Sequence, residues 1–216
     1  MKRLMLTLAV FIIVFPMTAA MAHGPRHERG WHQGDRYSGD NYAAVKIGAF
    51  MPDGASDFLD NGFAAGAALG HKLGRNFALE FGLDYISTDF HHDYSYDEYG
   101  YEDAYLTTFG IPVTAKFIVP LSDQVELYAG AGVGVYFTGI DFDNEYYDGY
   151  YYEHDRIDDT GFGFHTLIGA DIKMSSNTAF TMELKYTEID HDFNEYYDKD
   201  FEIGGTTASA GIKFLF

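Results

Sequence analysis

From Asn41 onward, apolar residues alternate with small or polar ones in eight segments, and every charge within those segments except Glu188, at the end of the seventh, falls in one phase of the alternation. Successive side chains of a strand point to opposite sides, so the pattern predicts strands with two unlike faces. The expected spans are 42–51, 63–73, 77–88, 105–119, 125–140, 161–174, 179–189 and 206–216. Glu188 apart, one phase is free of charge, reading Ala43, Val45, Ile47, Ala49 in the first segment, Phe77, Leu79, Phe81, Leu83 in the third and Ile212, Phe214, Phe216 in the last. The other phase carries Lys46, Lys72, Glu80, Asp84, Lys116, Glu126, Asp171, Lys173, Glu183, Lys185 and Lys213, with glycines between them.

Two architectures share this pattern. A soluble barrel or sandwich turns its apolar face inward and its charges to water. A barrel in lipid does the reverse. The glycines decide between them, because Gly weakens a strand unless crowding requires it, and a solvated face is not crowded. The charges argue the same way, since six Lys nearly balance five carboxylates within the strands while the connections are strongly acidic. Charges confined in a narrow lumen must pair. The predicted fold is therefore all-β, an eight-stranded, antiparallel, up-and-down transmembrane barrel whose eleven charged residues form an interior network.

The order of connections fits. Residues 74–76, 120–124 and 175–178 make short links, whereas those near 52–62, 89–104, 141–160 and 190–205 are long, and the two kinds alternate strictly. Bacterial outer-membrane barrels have short periplasmic turns and long extracellular loops, so an even strand count places both termini in the periplasm. Aromatic residues fall at the two expected interfaces, with Phe77, Phe117, Phe180, Phe214 and Phe216 toward the short turns and Tyr85, Tyr105, Phe137, Phe162 and Tyr186 toward the long loops.

Residues 1–22 have Lys2 and Arg3 ahead of an apolar run and end in Ala20-Met21-Ala22, the layout of a secretory signal peptide. After it, no stretch reaches the roughly 18 apolar residues of a membrane helix. Residues 23–40 lack periodicity and are expected to be a flexible periplasmic tail, followed by a barrel over 41–216. The tail's His23, His27 and His32 are spaced too loosely to define a metal site. The formal charge of −19, which becomes −21 once Lys2 and Arg3 are removed, excludes nucleic acid as a partner. With no cysteine there is neither a disulfide framework nor a thiolate metal site.

The last nine residues, ASAGIKFLF, alternate and end in Phe216, and the first strand runs from Tyr42 to Phe50. On these residues the chain resembles small outer-membrane β-barrels of the OmpA transmembrane-domain, OmpX and opacity-protein type. The resemblance implies outer-membrane lipid and lipopolysaccharide as surroundings. It implies the barrel-assembly machinery and periplasmic chaperones as partners during biogenesis, with Ile212, Phe214 and Phe216 as the assembly signal. No peptidoglycan-anchoring role is implied. Members include adhesins, serum-resistance proteins, small channels and a few lipid A-modifying enzymes, and the fold does not choose among them.

Catalysis has little to stand on. A deacylase on such a barrel needs a His-x-Ser pair facing lipid, and the nearest sequence is His165-Thr166-Leu167, in which His165 belongs to the lumenal phase. No catalytic residue, cofactor or built metal site is expected. A wide pore is not expected either, because an eight-stranded interior is just wide enough for side chains to fill.

The long connections are distinctive. Together with Glu188 beside the fourth, they hold 24 of the 33 acidic residues, and they hold most of the tyrosines; the pentapeptide NEYYD appears at 144–148 and again at 194–198. Tyrosine offers amphipathic contact area and carboxylates offer acceptors, which suits a surface for contact or adhesion with an extracellular ligand. Clustered carboxylates also suit low-affinity Ca2+ or Mg2+, for which Asp143, Glu145, Asp148, Glu195 and Asp198 are the candidates. His91, His92, His154 and His191 lie in the same connections.

Overall fold

A strand leaves unpaired N–H and C=O groups on each edge until a neighbour covers them. Here the last strand returns to the first and no edge remains. The computed structural model describes residues 41–53, 59–89, 103–143, 156–191 and 201–216. They form β1 (Asn41–Pro52), β2 (Gly62–Lys72), β3 (Phe77–Asp89), β4 (Asp103–Pro120), β5 (Val125–Asp143), β6 (Arg156–Lys173), β7 (Thr178–His191) and β8 (Phe201–Leu215). Each strand pairs antiparallel with the next, and β8 closes on β1 from Tyr42↔Leu215 to Pro52↔Gly205. The eight strands, their order and their faces are those expected from the alternation.

The strand ends differ. β5 runs to Asp143, β6 starts at Arg156 and β8 at Phe201, so stretches expected to be loop are strand. Pairing continues there through Asp103↔Asp143, Asp141↔Arg156 and His191↔Phe201. Ladder hydrogen bonds need only backbone, so hairpins persist past the point where apolar side chains stop marking them. The long connections thus shrink to 144–155 and 192–200 from the expected 141–160 and 190–205. Both NEYYD copies, and with them Glu145, Asp148, Glu195 and Asp198, lie outside the described residues, as do residues 1–40, His91, His92 and His154.

The short turns are held by local bonds. Leu73 N donates to Phe77 O, Leu121 N to Val125 O and Met174 N to Thr178 O, each at 2.9 Å. Asn76 Nδ2 donates to Ile118 O at 2.8 Å and Asn177 Nδ2 to Leu215 O at 3.2 Å, tying two turns to a neighbouring strand. Asn is favoured in turns because its short amide reaches nearby backbone.

One ladder is interrupted. β3 and β4 pair at Phe81↔Val113 and again at Asp84↔Gly110, with no pairing between, opposite Pro112. Proline has no N–H to donate. The register is unchanged across the gap, so the defect stays local.

The wall is inside-out relative to a soluble protein. Phe162 is 74% exposed, Val133 65% and Ile47 63%, while Lys116 is 3% and Glu183 4%. An exposed apolar surface that encircles all eight strands is what lipid covers. Phe77 and Phe117 meet edge-to-face at 5.2 Å on this outer surface, at the short-turn end.

Candidate functional site

With the apolar residues facing out, the chemistry lies in the lumen. β1, β3, β4 and β7 each direct one charged residue to mid-height, namely Lys46, Glu80, Lys116 and Glu183. Alternation sets the direction and register sets the height. Lys46 Nζ is 2.5 Å from Glu183 Oε1 and 4.0 Å from Glu80 Oε1. Lys116 Nζ is 2.7 Å from Glu80 Oε2 and 3.2 Å from Glu183 Oε2. Two lysines and two carboxylates therefore form a closed, charge-neutral quartet. All four are almost fully buried, and charges so placed persist only when paired and hydrogen-bonded.

Tyrosines extend the quartet. Tyr42 donates to Glu80 at 2.9 Å and Tyr128 to Glu183 at 3.1 Å, with Tyr128 also 3.1 Å from the Thr181 hydroxyl. Lys116 lies 4.6 Å from the centre of the Tyr128 ring, and Lys213 lies 4.5 Å from that of Tyr42, so the rings also receive cations on their faces. Glycine makes these ring positions possible. A Cβ on Gly70 would sit 1.9 Å from Tyr42 Cζ, and one on Gly110 would sit 2.4 Å from Tyr136 Cε1.

The other interior charges lie around the quartet. Lys185 meets Asp84 at 2.6 Å, Lys72 meets Glu126 at 3.3 Å, and Lys213 contacts Asp171. Lys173 sits half-buried at the end of β6. All eleven residues of the lumenal phase are thus on the inner face of the wall, and ten of them fall into these ion pairs.

Apolar layers close the lumen above and below. Toward the short turns lie Tyr42, Ala78, Ile118, Tyr128, Leu167 and Leu215. Toward the long connections lie Phe50, Ala64, Ile86, Leu106, Tyr136, Ile189 and Ile203, joined by Leu59 from the β1–β2 connection. That connection is pinned where it is described, since Asp60 N donates to Asp89 O at 2.8 Å and the Thr88 hydroxyl donates to Asp60 O. The expectation of a lumen filled by charged side chains omitted both layers. Their signal was present, because these strand residues share the phase of the charges.

His165 points into the lumen, 1% exposed, with Nε2 2.8 Å from the Thr114 hydroxyl. Thr166 faces outward. The imidazole therefore has no nucleophile beside it on the lipid side. Of the cation candidates, Asp143 ends β5, and among the described residues no three His, Asp or Glu side chains gather as a metal site. Ile212 and Phe214 lie in β8 on the outward phase, and Phe214 and Phe216 are about half exposed.

Residues 7–214 match the outer membrane protein beta-barrel domain. The chain belongs to that family. This assignment places it in the outer membrane of a Gram-negative type of envelope. No curated protein matches it in sequence. Among solved structures it is similar to Neisserial surface protein A, at 15% identity and a TM-score of 0.55, covering 82% of this chain and 96% of that one. A major outer membrane protein from Thermus thermophilus is also similar, at 11% identity and a TM-score of 0.56, covering 82% and 99% respectively. At such identities the likeness is one of fold.

Proposed function

We propose that this family member is a non-enzymatic outer-membrane barrel that acts through the surface it presents, in contact, adhesion or membrane integrity, and not through its lumen. Both termini are periplasmic and the acidic, tyrosine-rich connections are extracellular. The observation that carries the reading is the interior, where a neutral, buried ion-pair quartet lies between two clusters of buried apolar side chains, so that side chains fill the lumen at mid-height. A wall that neither conducts nor presents a nucleophile leaves the connections to act. Lipopolysaccharide is the natural neighbour of those connections, and divalent Ca2+ or Mg2+ bridges their carboxylates to its phosphates. Assembly proceeds through periplasmic chaperones and the barrel-assembly machinery, with Ile212, Phe214 and Phe216 as the signal.

The test pairs two measurements on the full-length barrel in lipid. Planar-bilayer recordings are expected to show little or no steady conductance. Replacing 144–155 and 192–200 with short Gly-Ser links is expected to leave the barrel folded and to reduce cell adhesion or envelope integrity. Large stable open levels, or an unchanged phenotype after loop replacement, would refute the reading.

A further inference from the structure

Between the quartet and the upper apolar layer lies a small cavity, about 20 Å³ in volume, lined among others by Lys46, Asp84, Tyr136, Glu183, Lys185 and Thr187. Two of these groups lack a hydrogen-bond partner. They are the Tyr136 hydroxyl and the Thr187 hydroxyl, in residues only 1% and 3% exposed. A third lone atom is next door, since His165, whose Nδ1 also has no partner, is the register neighbour of Thr187. Buried hydroxyls are nearly always satisfied, by protein or by ordered water. Two unsatisfied buried hydroxyls lining one cavity point to a guest.

The chemistry of the walls selects that guest. Lys46 is matched by Glu183 at 2.5 Å and Lys185 by Asp84 at 2.6 Å, so the cavity carries no net charge and offers an ion no preference. The two free hydroxyls each ask for a partner able to donate or accept. The volume admits one small molecule, because a water needs roughly 10–15 Å³ of this kind of space and two to four polar neighbours. An apolar guest would leave the hydroxyls as they are.

We infer that this cavity is an internal hydration site, holding ordered water that joins the Tyr136 and Thr187 hydroxyls and links the Lys46–Glu183 pair to the Asp84–Lys185 pair. The inference goes beyond the surface role proposed above and stands or falls separately from it. Ala64, Ile86 and Tyr136 of the upper apolar layer also line the cavity, so the water sits against that layer on one side and the ion pairs on the other. The glycines beneath the Tyr136 ring set the position of its hydroxyl, since Cβ atoms on Gly134 and Gly163 would approach Tyr136 Cε2 to 3.0 and 2.9 Å.

The test uses the full-length barrel in detergent micelles or nanodiscs. Water-to-protein magnetization transfer is expected to show long-lived water at the Thr187 hydroxyl or the Tyr136 hydroxyl. The double variant Tyr136→Phe/Thr187→Val is expected to lose that signal and to lower the urea unfolding midpoint, with Thr187→Ser restoring the signal in a Tyr136 background. If the cavity is dry, the double variant removes two unsatisfied buried hydroxyls and raises the midpoint. A raised midpoint, or no water contact at either hydroxyl in the wild type, overturns the inference.

Discussion

Lys116 and Lys72 are both lysines on the inner face, yet they occupy two different environments. Lys116, at mid-height, is bound by Glu80 and Glu183 and lies on the Tyr128 ring, with its side chain 3% exposed. Lys72 sits at the short-turn rim against Glu126, 3.3 Å away, in a pair whose side chains are 9% and 12% exposed. The comparison shows that phase decides which way a charge points, and depth decides what its pairing is worth. At mid-height an abandoned partner has no water to turn to. At the rim it has.

The largest effect is expected from breaking the deep side of this contrast. Glu183 accepts from Lys46, Lys116 and Tyr128, so Glu183→Ala leaves two buried lysines sharing Glu80. Losing one partner of a buried pair costs about 3–5 kcal/mol, and urea unfolding followed by the heat-modifiable gel shift measures it. A smaller loss is expected from Gly70→Val, which leaves the charges in place but drives the Tyr42 ring off its position and weakens its bond to Glu80. Overpacking of this kind costs about 1–3 kcal/mol, and the same unfolding assay reads it. The smallest effect is expected at the rim, where Lys72→Ala removes a longer contact to a half-buried Glu126 beside the short turns, and the same unfolding assay is expected to show a smaller midpoint shift than for Gly70→Val. Should Lys72→Ala prove as damaging as Glu183→Ala, depth would not be what separates the two environments.

The sequence was most legible where geometry is local. Alternation assigned Lys46, Glu80, Lys116 and Glu183 to one face and Val45, Phe81, Val133 and Ile212 to the other, because a strand's side chains reverse with every residue. It was less legible at the strand ends. Asp141, Asp143 and Asp158 read as loop because they are charged, yet the ladder passes through them. The interior apolar layers were also missed, since Ile86, Leu106 and Ile189 share a phase with the charges and looked like breaks in a polar pattern. Leu59 carries no periodicity at all. Only the fold of its connection over the lumen brings it to Ile203 and Leu106.

By itself, then, the sequence determined the number of strands, their order, the lipid-facing surface and the sign of every interior charge, all of which follow from period and connection length. Which lysine meets which carboxylate was decided by tertiary structure alone. Lys46 on β1 reaches Glu183 on β7, and Lys116 on β4 reaches the same residue, so the partners are 137 and 67 positions apart and sit on strands that share no ladder. Such pairs exist only after β8 has closed on β1, because closure brings opposite walls of the lumen within reach of one side chain, and the small bore then excludes the water that would otherwise separate them.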